Sequence, residues 1–309
     1  MRIGKSSSVN IEKRVRNLSR LSTLPYIAAK VVELVENPKT SASTLGKIIS
    51  MDQVLAARIL KLANSAYYGF PRKISTINLA IVVLGFNTLR DLVVSLSVID
   101  QFSAGNNHLI DPRQFWKHAL EVGMGAKHFS QVIHYPIPGE VFVGGLLHDI
   151  GLLVLLQEFP DLLNEIFTMI EREDIDFDTA LLEKAGCSRA QISSWLVEGW
   201  NLPPKLVNSI RYHLQPEKDP QQSQLTWVIH FADQISLLVN QFDNPFFPKV
   251  MDEKLLEEQI NKFFKKHYPI SYYQEKFQEA AEKANDFLDI LTHQSQQSKG
   301  VSLVQDGTM

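Results

Sequence analysis

The chain is poor in the residues that build disulfide frameworks and turns. Cys187 is the single cysteine among 309 residues, which excludes an intrachain disulfide framework and any metal site built on several thiolates. Glycine and proline number only 15 and 14, fewer together than the ~12% of an average chain. A strand-like alternation of apolar and polar residues is lacking as well. The scarcity of turn formers and of strand patterns predicts a mainly helical chain.

A large charge of one sign is also lacking. Lys and Arg number 31 and Asp and Glu number 34, for a net charge of −3, so no strong field attracts nucleic acid or an anionic membrane. A local basic excess occurs in residues 1–20, which contain six basic residues and one acidic residue, Glu12. We expect a solvated, partly disordered leader there, and the alternative is a docking arm for an acidic partner.

A secretory signal and a clear membrane span are both missing. The N-terminus has no apolar core, which makes the cytoplasm the default location. The longest apolar stretch, residues 77–99, contains Arg90 and Asp91, and each costs roughly 2.5–3.5 kcal/mol near the centre of a bilayer. This stretch therefore predicts two buried helices, or one helix kinked at Gly85, and no membrane interaction.

The sequence has helical periodicity over most of its length. Apolar residues recur every three to four positions from Leu24 onward, and residues 140–157 are apolar on nearly all sides, as in a buried central helix. The later helices are predicted at about 161–173, 178–185, 189–200, 204–214, 224–241, 252–266 and 272–293. The whole pattern predicts an all-α protein with a basic leader (1–20), an N-terminal helical subdomain (21–105), a second helical subdomain (106–293) and a disordered tail (294–309).

Three further features have structural interpretations. Gly144-Gly145 predicts the close approach of another helix, because neither a preceding strand nor the lysine of a phosphate loop accompanies these glycines. Asn64-Ser65 favours a conformational role at a helix end over a binding role. The aromatic-rich helices within residues 252–293 are expected to pack on the core, and the alternative is that they form a dimer surface.

Four polar residues lie where helical packing calls for apolar ones. His118 shares a face with Phe115 and Val122, and Asp233 lies on an apolar face of its helix. His148-Asp149 interrupts a run that is otherwise apolar, where an ionised carboxylate is costly unless it is paired or bound to a metal. Two imidazoles and two carboxylates suit one divalent ion. The alternative is that each residue is separately satisfied within the core.

Several segments of the chain resemble HDOD domains, the HD-related output domains of bacterial signalling proteins. The most specific match is ILKLANSAYYGFPRKISTINLAIVVLGFNTLRDLV, residues 59–93, and the resemblance continues in FWKHALEVG, GLLHDIG, WNLPPKLVNSIRYHLQPE and HFADQIS. It covers roughly residues 20–240. It implies an N-terminal helical subdomain followed by an HD-domain-like helical core, and a bacterial signalling or regulatory role.

The resemblance also implies a metal site. The HD superfamily of metal-dependent phosphohydrolases has a minimal ligand set of His, then His-Asp, then Asp, and the matching positions here are His118, His148, Asp149 and Asp233. The chain departs from the cyclic-dinucleotide phosphodiesterase branch at several points. Leu152 stands in place of a lysine, Arg189 in place of a histidine ligand and Tyr212-His213 in place of two consecutive histidines, and no Gly-Tyr-Pro motif follows.

These departures bear on the number of ions. Two-metal hydrolysis needs ions about 3.5–4 Å apart, and the loss of two imidazoles argues against a second ion. Arg189 is always charged and repels a second cation, and it has the alternative role of pairing with Asp149 and replacing the metal altogether. Tyr212, His213 and His230 are the remaining pocket candidates. The two histidines are candidate extra ligands for which a structural role is favoured.

The sequence leaves three candidate functions. The first is a non-catalytic signalling module that acts through contacts with an unidentified signalling protein or through ligand-dependent conformation. The second is a mononuclear metal-dependent phosphohydrolase of a nucleotide or cyclic nucleotide, although no spare residue stands out as a general base. The third is a sensor that binds a nucleotide without cleaving it. Nucleic-acid binding is not expected, and a homodimer is compatible with the sequence.

Overall fold

The structure is a computed structural model that describes residues 11–18, 24–65, 68–102, 110–136, 138–200, 202–242, 244–247, 250–279, 281, 282, 284 and 288. The predicted boundary near residue 105, the predicted tail 294–309 and leader residues 1–10 and 19–20 lie outside these residues. The chain divides into two compact units, and the division falls between Val98 and Ile99. The larger unit joins residues up to Leu24 with Ile99–Ala281, and the smaller unit is built on Pro25–Val98.

Helices make up the regular structure, and no strand occurs among the described residues, which confirms the predicted all-α class. The helices are α1 (11–16), α2 (Tyr26–Glu36), α3 (Ala42–Ile49), α4 (Gln53–Ala63), α5 (Ile77–Leu84), α6 (Phe86–Phe102), α7 (Pro112–Val132), α8 (Pro138–Leu147), α9 (Ile150–Glu158), α10 (Pro160–Glu173), α11 (Phe177–Ala185), α12 (Arg189–Gly199), α13 (Pro204–Tyr212), α14 (Gln224–Asn240), α15 (Glu253–Phe264) and α16 (270–279).

Short polar side chains start many of these helices. Asp111, Asp176, Ser188 and Ser223 each accept a hydrogen bond from a backbone N–H in the first turn of the helix that follows, which satisfies a donor that the helix itself leaves unpaired. At α12 the cap is reciprocal, because the Gln191 side chain also accepts from the backbone N–H of Ser188. The helices predicted between residues 161 and 266 therefore begin close to where the sequence placed them.

The smaller unit packs α3 against α2 and α5. Asn64, directly after α4, donates to the Ile74 carbonyl and accepts from the Ile74 N–H, each at 2.8 Å. This pair of bonds closes the loop that precedes α5, as expected of a conformational role. Gly85 separates α5 from α6 with a φ of +82°, and the two helices are bent by 119°. The apolar stretch 77–99 is thus broken into two helices, which is the first of the two predicted alternatives. The expected burial is wrong for part of α5, because Leu79, Val82 and Val83 are exposed.

In the part of the chain that the structure describes, one unbroken apolar helical stretch, Gly139–Glu158, is long enough to cross a membrane by length and composition. It contains α8 and α9, and 94% of it is buried inside the protein. Burial of this extent is typical of a core helix, and it explains the strong hydrophobicity of the run without a bilayer.

The core of the larger unit is formed where α7, α8 and α14 pack on one another. A Cβ atom on Gly145 of α8 would lie 2.6 Å from the Cα atom of Gly123 of α7, so the two helices cross with their backbones in contact. On the other side of α8, a Cβ atom on Gly144 would lie 2.5 Å from the Ile229 side chain of α14. The close approach that Gly144-Gly145 predicted is confirmed.

The single helix predicted over residues 140–157 is wrong, because the structure ends α8 at Leu147 and starts α9 at Ile150. The physical cause lies in His148, whose Nδ1 atom donates to the carbonyl of Gly145 at 2.6 Å. A histidine ring at this position satisfies one of the carbonyls that a helix leaves free at its C-terminus. The His-Asp pair therefore lies at a helix junction and not within a continuous helix.

Helix α1 packs on the larger unit, which differs from the solvated leader expected from the sequence. Val15 is fully buried, and Arg14 lies over the Phe159 ring, with 4.5 Å between the guanidinium carbon and the ring centroid. Arg14 also donates to the carbonyl of Glu158 at 2.6 Å, and Arg16 forms an ion pair with Glu198 at 2.8 Å. Two of the three basic residues of α1, Arg14 and Arg16, thus contact other parts of the larger unit.

Candidate metal centre

Three histidines aim the same ring atom, Nε2, toward two carboxylates in the core of the larger unit. His118 comes from α7, His148 follows α8 and His213 follows α13, while Asp149 precedes α9 and Asp233 comes from α14. All five side chains are at most 3% exposed. Helices that are distant in sequence therefore bring these side chains to one buried point.

His148 and His213 are held in the same way. Each follows the last residue of a helix, and each donates from Nδ1 to the carbonyl three residues earlier, Gly145 at 2.6 Å and Ile210 at 2.7 Å. Because a carbonyl only accepts, the proton of the neutral ring lies on Nδ1 and the lone pair lies on Nε2. Both rings therefore present a metal-ligating nitrogen to the centre.

His118 is oriented by a chain of polar side chains. Its Nδ1 atom lies 2.9 Å from Ser236 Oγ, and Ser236 in turn donates to Glu121 Oε2 at 3.4 Å. Glu121 also accepts from Asn240 Nδ2 at 2.8 Å and forms an ion pair with Lys117 at 3.2 Å. Partners of this kind fix the tautomer and the orientation of ligating histidines, and here they turn Nε2 toward Asp233, 3.2 Å away.

The donor atoms form two overlapping groups of three, which share His148, and each group could hold a metal ion. One atom each from His118, His148 and Asp149 lie within 4.8 Å of one another, and so do one atom each from His148, His213 and Asp233. Among the described residues, all three Nε2 atoms, Asp149 Oδ1 and Asp233 Oδ2 are buried without a hydrogen-bond partner. Orphaned buried acceptors of this kind are costly, and imidazole nitrogens with carboxylate oxygens suit a divalent cation such as zinc, iron or manganese.

Arg189 bounds the centre on one side and is itself fully buried. Its Nη1 atom lies 3.1 Å from Asp149 Oδ2 and donates to the Phe246 carbonyl at 2.7 Å, while its Nε atom lies 3.3 Å from Asp178 Oδ1. The sequence posed pairing with Asp149 and metal binding as alternatives. The geometry allows both, because Arg189 faces Oδ2 of Asp149 while Oδ1 points toward His213 Nε2, 3.6 Å away.

The charges of the cluster are mutually dependent. Burial opposes ionisation of Asp149 and Asp233. Even so, Arg189 and the facing imidazoles lower the pKa of Asp149, and the imidazoles of His118 and His148 lower the pKa of Asp233 strongly. Burial lowers the pKa of His148, yet the two carboxylates outweigh this effect and the net shift is upward. Burial, together with the charge of His148, lowers the pKa of His213 to about 4. His213 is therefore neutral near pH 7.

Aromatic side chains cover the centre on the His118 side. The rings of Phe242 and Phe247 stack on each other with 4.2 Å between their centroids, and each meets the His118 ring edge-on, at 5.4 and 5.1 Å. Both belong to the segment that follows α14. This cover leaves His118 only 1% exposed.

The remaining predicted residues lie outside the group of converging atoms. His230 donates from Nδ1 to the carbonyl of His213 at 2.8 Å, so it helps to fix the backbone of His213. Tyr212 lines a neighbouring surface groove. Sequence reasoning missed Asp178 and Ser236, because an acid in the first turn of α11 and a serine on α14 are ordinary residues at ordinary positions. Glu121 could have been found from the sequence, because a glutamate three residues after His118 lies on the same apolar face of the helix, where charged residues are rarely buried without a partner.

Comparison with known proteins agrees with this architecture. A model of the HDOD domain family matches residues 21–216. The chain is similar to the solved structure of an HDOD domain protein of unknown function from Geobacter sulfurreducens, at 23% identity and a TM-score of 0.78, covering 94% of this chain and 99% of that one. A candidate phosphohydrolase from Shewanella amazonensis SB2B is 26% identical, with a TM-score of 0.74 and coverage of 92% and 99%.

Two further comparisons extend the range. A candidate signal transduction protein from Marinobacter aquaeolei VT8 is 20% identical with a TM-score of 0.71, covering 94% of this chain and 66% of that one. A curated uncharacterized protein of Treponema pallidum (strain Nichols) is 25% identical over 198 residues, which are 63% of this chain and 38% of that protein. The matching region thus spans well under half of that relative.

The two helical units and the buried His/Asp centre define an all-α protein with an HD-like helical core. Because the family model covers more than half of the sequence, the chain belongs to the HDOD domain family.

Proposed function

We propose that this chain is a signal-transduction module of the bacterial cytoplasm that acts without catalysis, and that its buried centre holds one divalent ion as part of the core. The observation that carries the proposal is the closure of the site. His148 is fully buried and Asp149 is 2% exposed, and two stacked phenylalanines lie against His118. Catalytic metal sites keep a position open for water or substrate, whereas closed sites are structural.

Arg189 supports the restriction to one ion. Its guanidinium contacts Asp149 on the side away from His213, and a guanidinium keeps its positive charge at every physiological pH. A second cation beside Asp149 would meet this fixed charge at short range. The residues that would hold a single ion are His118, His148, His213, Asp149 and Asp233. An ion there would supply Lewis-acid activation only to a water molecule or phosphate ester that reached it.

The relatives supply the signalling part of the proposal. The Marinobacter aquaeolei protein carries the description of a candidate signal transduction protein, and membership of the HDOD domain family supports a role of the same kind for this chain. The output would pass to an unidentified partner protein through a surface of the module. A homodimer would provide such a surface as well.

Metal content and hydrolysis together test this proposal. We expect purified chain to contain about one equivalent of divalent metal by elemental analysis, and His148→Ala to contain much less, because the variant loses a ligand. We expect the metal-loaded protein to leave bis(4-nitrophenyl) phosphate and common cyclic nucleotides intact. Protein with no metal would contradict the ion, and hydrolysis that disappears in His148→Ala would contradict the lack of catalysis.

A second candidate function is a mononuclear phosphohydrolase. It is favoured by the unpartnered Nε2 and carboxylate atoms, and two Shewanella amazonensis relatives are described as candidate phosphohydrolases, one of them metal-dependent. For this chain to hydrolyse a substrate, the Phe242–Phe247 pair would have to move away from His118. Hydrolysis that rises in Phe247→Ala and vanishes in the double variant with His148→Ala would establish this function in place of the first.

A further inference from the structure

A groove of about 820 Å³ opens on the larger unit beside the metal centre. It lies between α11, the start of α12 and the end of α13, and it is a different surface from the aromatic cover over His118. Its volume is in the range of small-molecule sites, which are usually clefts of ~300–1,000 Å³. The groove reaches the centre through side chains, because its lining residue Asp178 contacts Arg189 and its lining residue Tyr212 precedes His213.

The groove carries positive charge that none of the described residues neutralises. Arg211 and Lys218 both line it, and neither forms an ion pair or a side-chain hydrogen bond with any described residue. The one carboxylate in the lining, Asp178, is engaged with the Arg189 guanidinium at 3.3 Å. Two free cations in one concave surface favour an anion, and an Arg fork suits phosphate in particular.

The groove also offers apolar surface next to these cations. Leu182 lines it and is 55% exposed, which is high for a leucine. The half-buried Tyr212 ring makes no contact with another aromatic ring of the described residues. An aromatic face and an aliphatic side chain beside two cations match a ligand that joins a planar ring system to phosphate.

We propose that this groove binds a nucleotide, with Arg211 and Lys218 on its phosphate and Tyr212 and Leu182 on its base. The inference rests on the proposed function, since the ligand would be the input of the module. A ligand beside Asp178 would act on the contact between Asp178 and Arg189, and Arg189 in turn contacts Asp149 of the centre and the Phe246 carbonyl of the segment that covers it. The groove thus connects a solvent-facing ligand to the buried cluster.

Isothermal titration calorimetry on the full chain tests the proposal, with nucleoside monophosphates and cyclic dinucleotides as probes and inorganic phosphate and free nucleosides as references. We expect at least one nucleotide to bind with a Kd below about 1 mM, more tightly than either reference. We expect the double variant Arg211→Gln, Lys218→Gln to weaken this binding by about tenfold or more, because hydrogen bonds to charged groups are lost. Lys262→Gln removes an exposed charge on α15 and should leave binding unchanged.

Three outcomes would overturn the proposal: no nucleotide binds, the double variant binds as the parent does, or inorganic phosphate alone binds as tightly as any nucleotide. Arg211 and Lys218 are at least partly exposed, so the variants should fold, and circular dichroism checks that they do. Each titration is repeated after removal of metal with a chelator. Nucleotide binding that persists without metal would support the groove proposal independently of the metal proposal. The metal proposal is tested by the elemental analysis alone.

Discussion

The buried guanidinium of Arg189 has partners from three different parts of the chain. Arg189 occupies the first position of α12 and meets Asp149, Asp178 and the Phe246 carbonyl. Its neighbourhood is compact, because a Cβ atom on Gly151 would lie 2.4 Å from the carbonyl oxygen of Arg189. Glycine at position 151 therefore lets α9 approach the start of α12 closely enough for Asp149 to reach the guanidinium.

Replacing Arg189 with methionine should destabilise the protein strongly. The change keeps the bulk of the side chain but leaves the buried Asp149 carboxylate and the half-buried Asp178 carboxylate without their cation. Breaking a buried pair typically costs about 3–5 kcal/mol. Urea unfolding followed by circular dichroism measures the loss. Arg172→Met removes an exposed arginine that pairs with Glu173 and should cost less than about 1 kcal/mol. Equal losses in the two variants would contradict the role of Arg189.

His213 should make the metal-free protein less stable as the pH falls. Its pKa is about 4 in the folded protein and about 6.5 in an unfolded chain. Between these values the unfolded chain binds a proton that the folded chain excludes, so stability decreases as the pH falls from 6.5 toward 4, by up to about 3 kcal/mol. Urea unfolding of chelator-treated protein across this range should show a shallower decrease for His213→Asn, which retains a donor for Ile210. Parallel curves would contradict the assignment.

At the scale of elements, the centre depends on how closely α7 and α8 cross. Gly145→Ala would place a methyl group 2.6 Å from the backbone of Gly123, so the helices must separate. Overpacking costs about 1–3 kcal/mol, more than the ~1 kcal/mol gained in helix propensity. We expect a lower Tm and less bound metal, because His148 lies three residues further along and His118 lies on the opposing helix.

Thermal unfolding and elemental analysis measure these two effects of Gly145→Ala. Gly199→Ala, at the exposed last residue of α12, is the matched control and should change neither quantity appreciably. A Gly145→Ala protein with unchanged Tm and metal content would show that the crossing does not position the ligands.

Sequence patterns predicted the helices better than the junctions between them. Periodicity and polar caps set the starts of α11, α12 and α14, because those signals are local. The junction at His148-Asp149 was not predictable in this way, since apolar residues flank it on both sides and its cause is a side-chain bond to Gly145. Asp178 was missed for a related reason: its contact with Arg189 is made only in the folded chain.

At the scale of the whole molecule, the larger unit is discontinuous in sequence. It takes in residues up to Leu24 and resumes at Ile99, so α1 joins its unit across an interval of more than seventy residues that belong to the other unit. The composition of residues 1–20 predicted a solvated leader, because six of these residues are basic and one is acidic. The two apolar residues that dock α1, Ile11 and Val15, are too few to form a recognisable pattern, and their partners lie far away in sequence.

Truncating Val15 should therefore weaken the larger unit even though the residue lies in the apparent leader. Val15 is fully buried on α1, and Val15→Ala removes two methyl groups, which costs about 2 kcal/mol through lost burial and the cavity that remains. Hydrogen exchange at α9 and α12 should speed up together with the fall in Tm, because Arg14 and Arg16 of the same helix contact Glu158 and Glu198. Asn17→Ala, at an exposed position in the turn after α1, should leave both unchanged. If Val15→Ala behaved like Asn17→Ala, α1 would be an appendage of the larger unit and not part of its core.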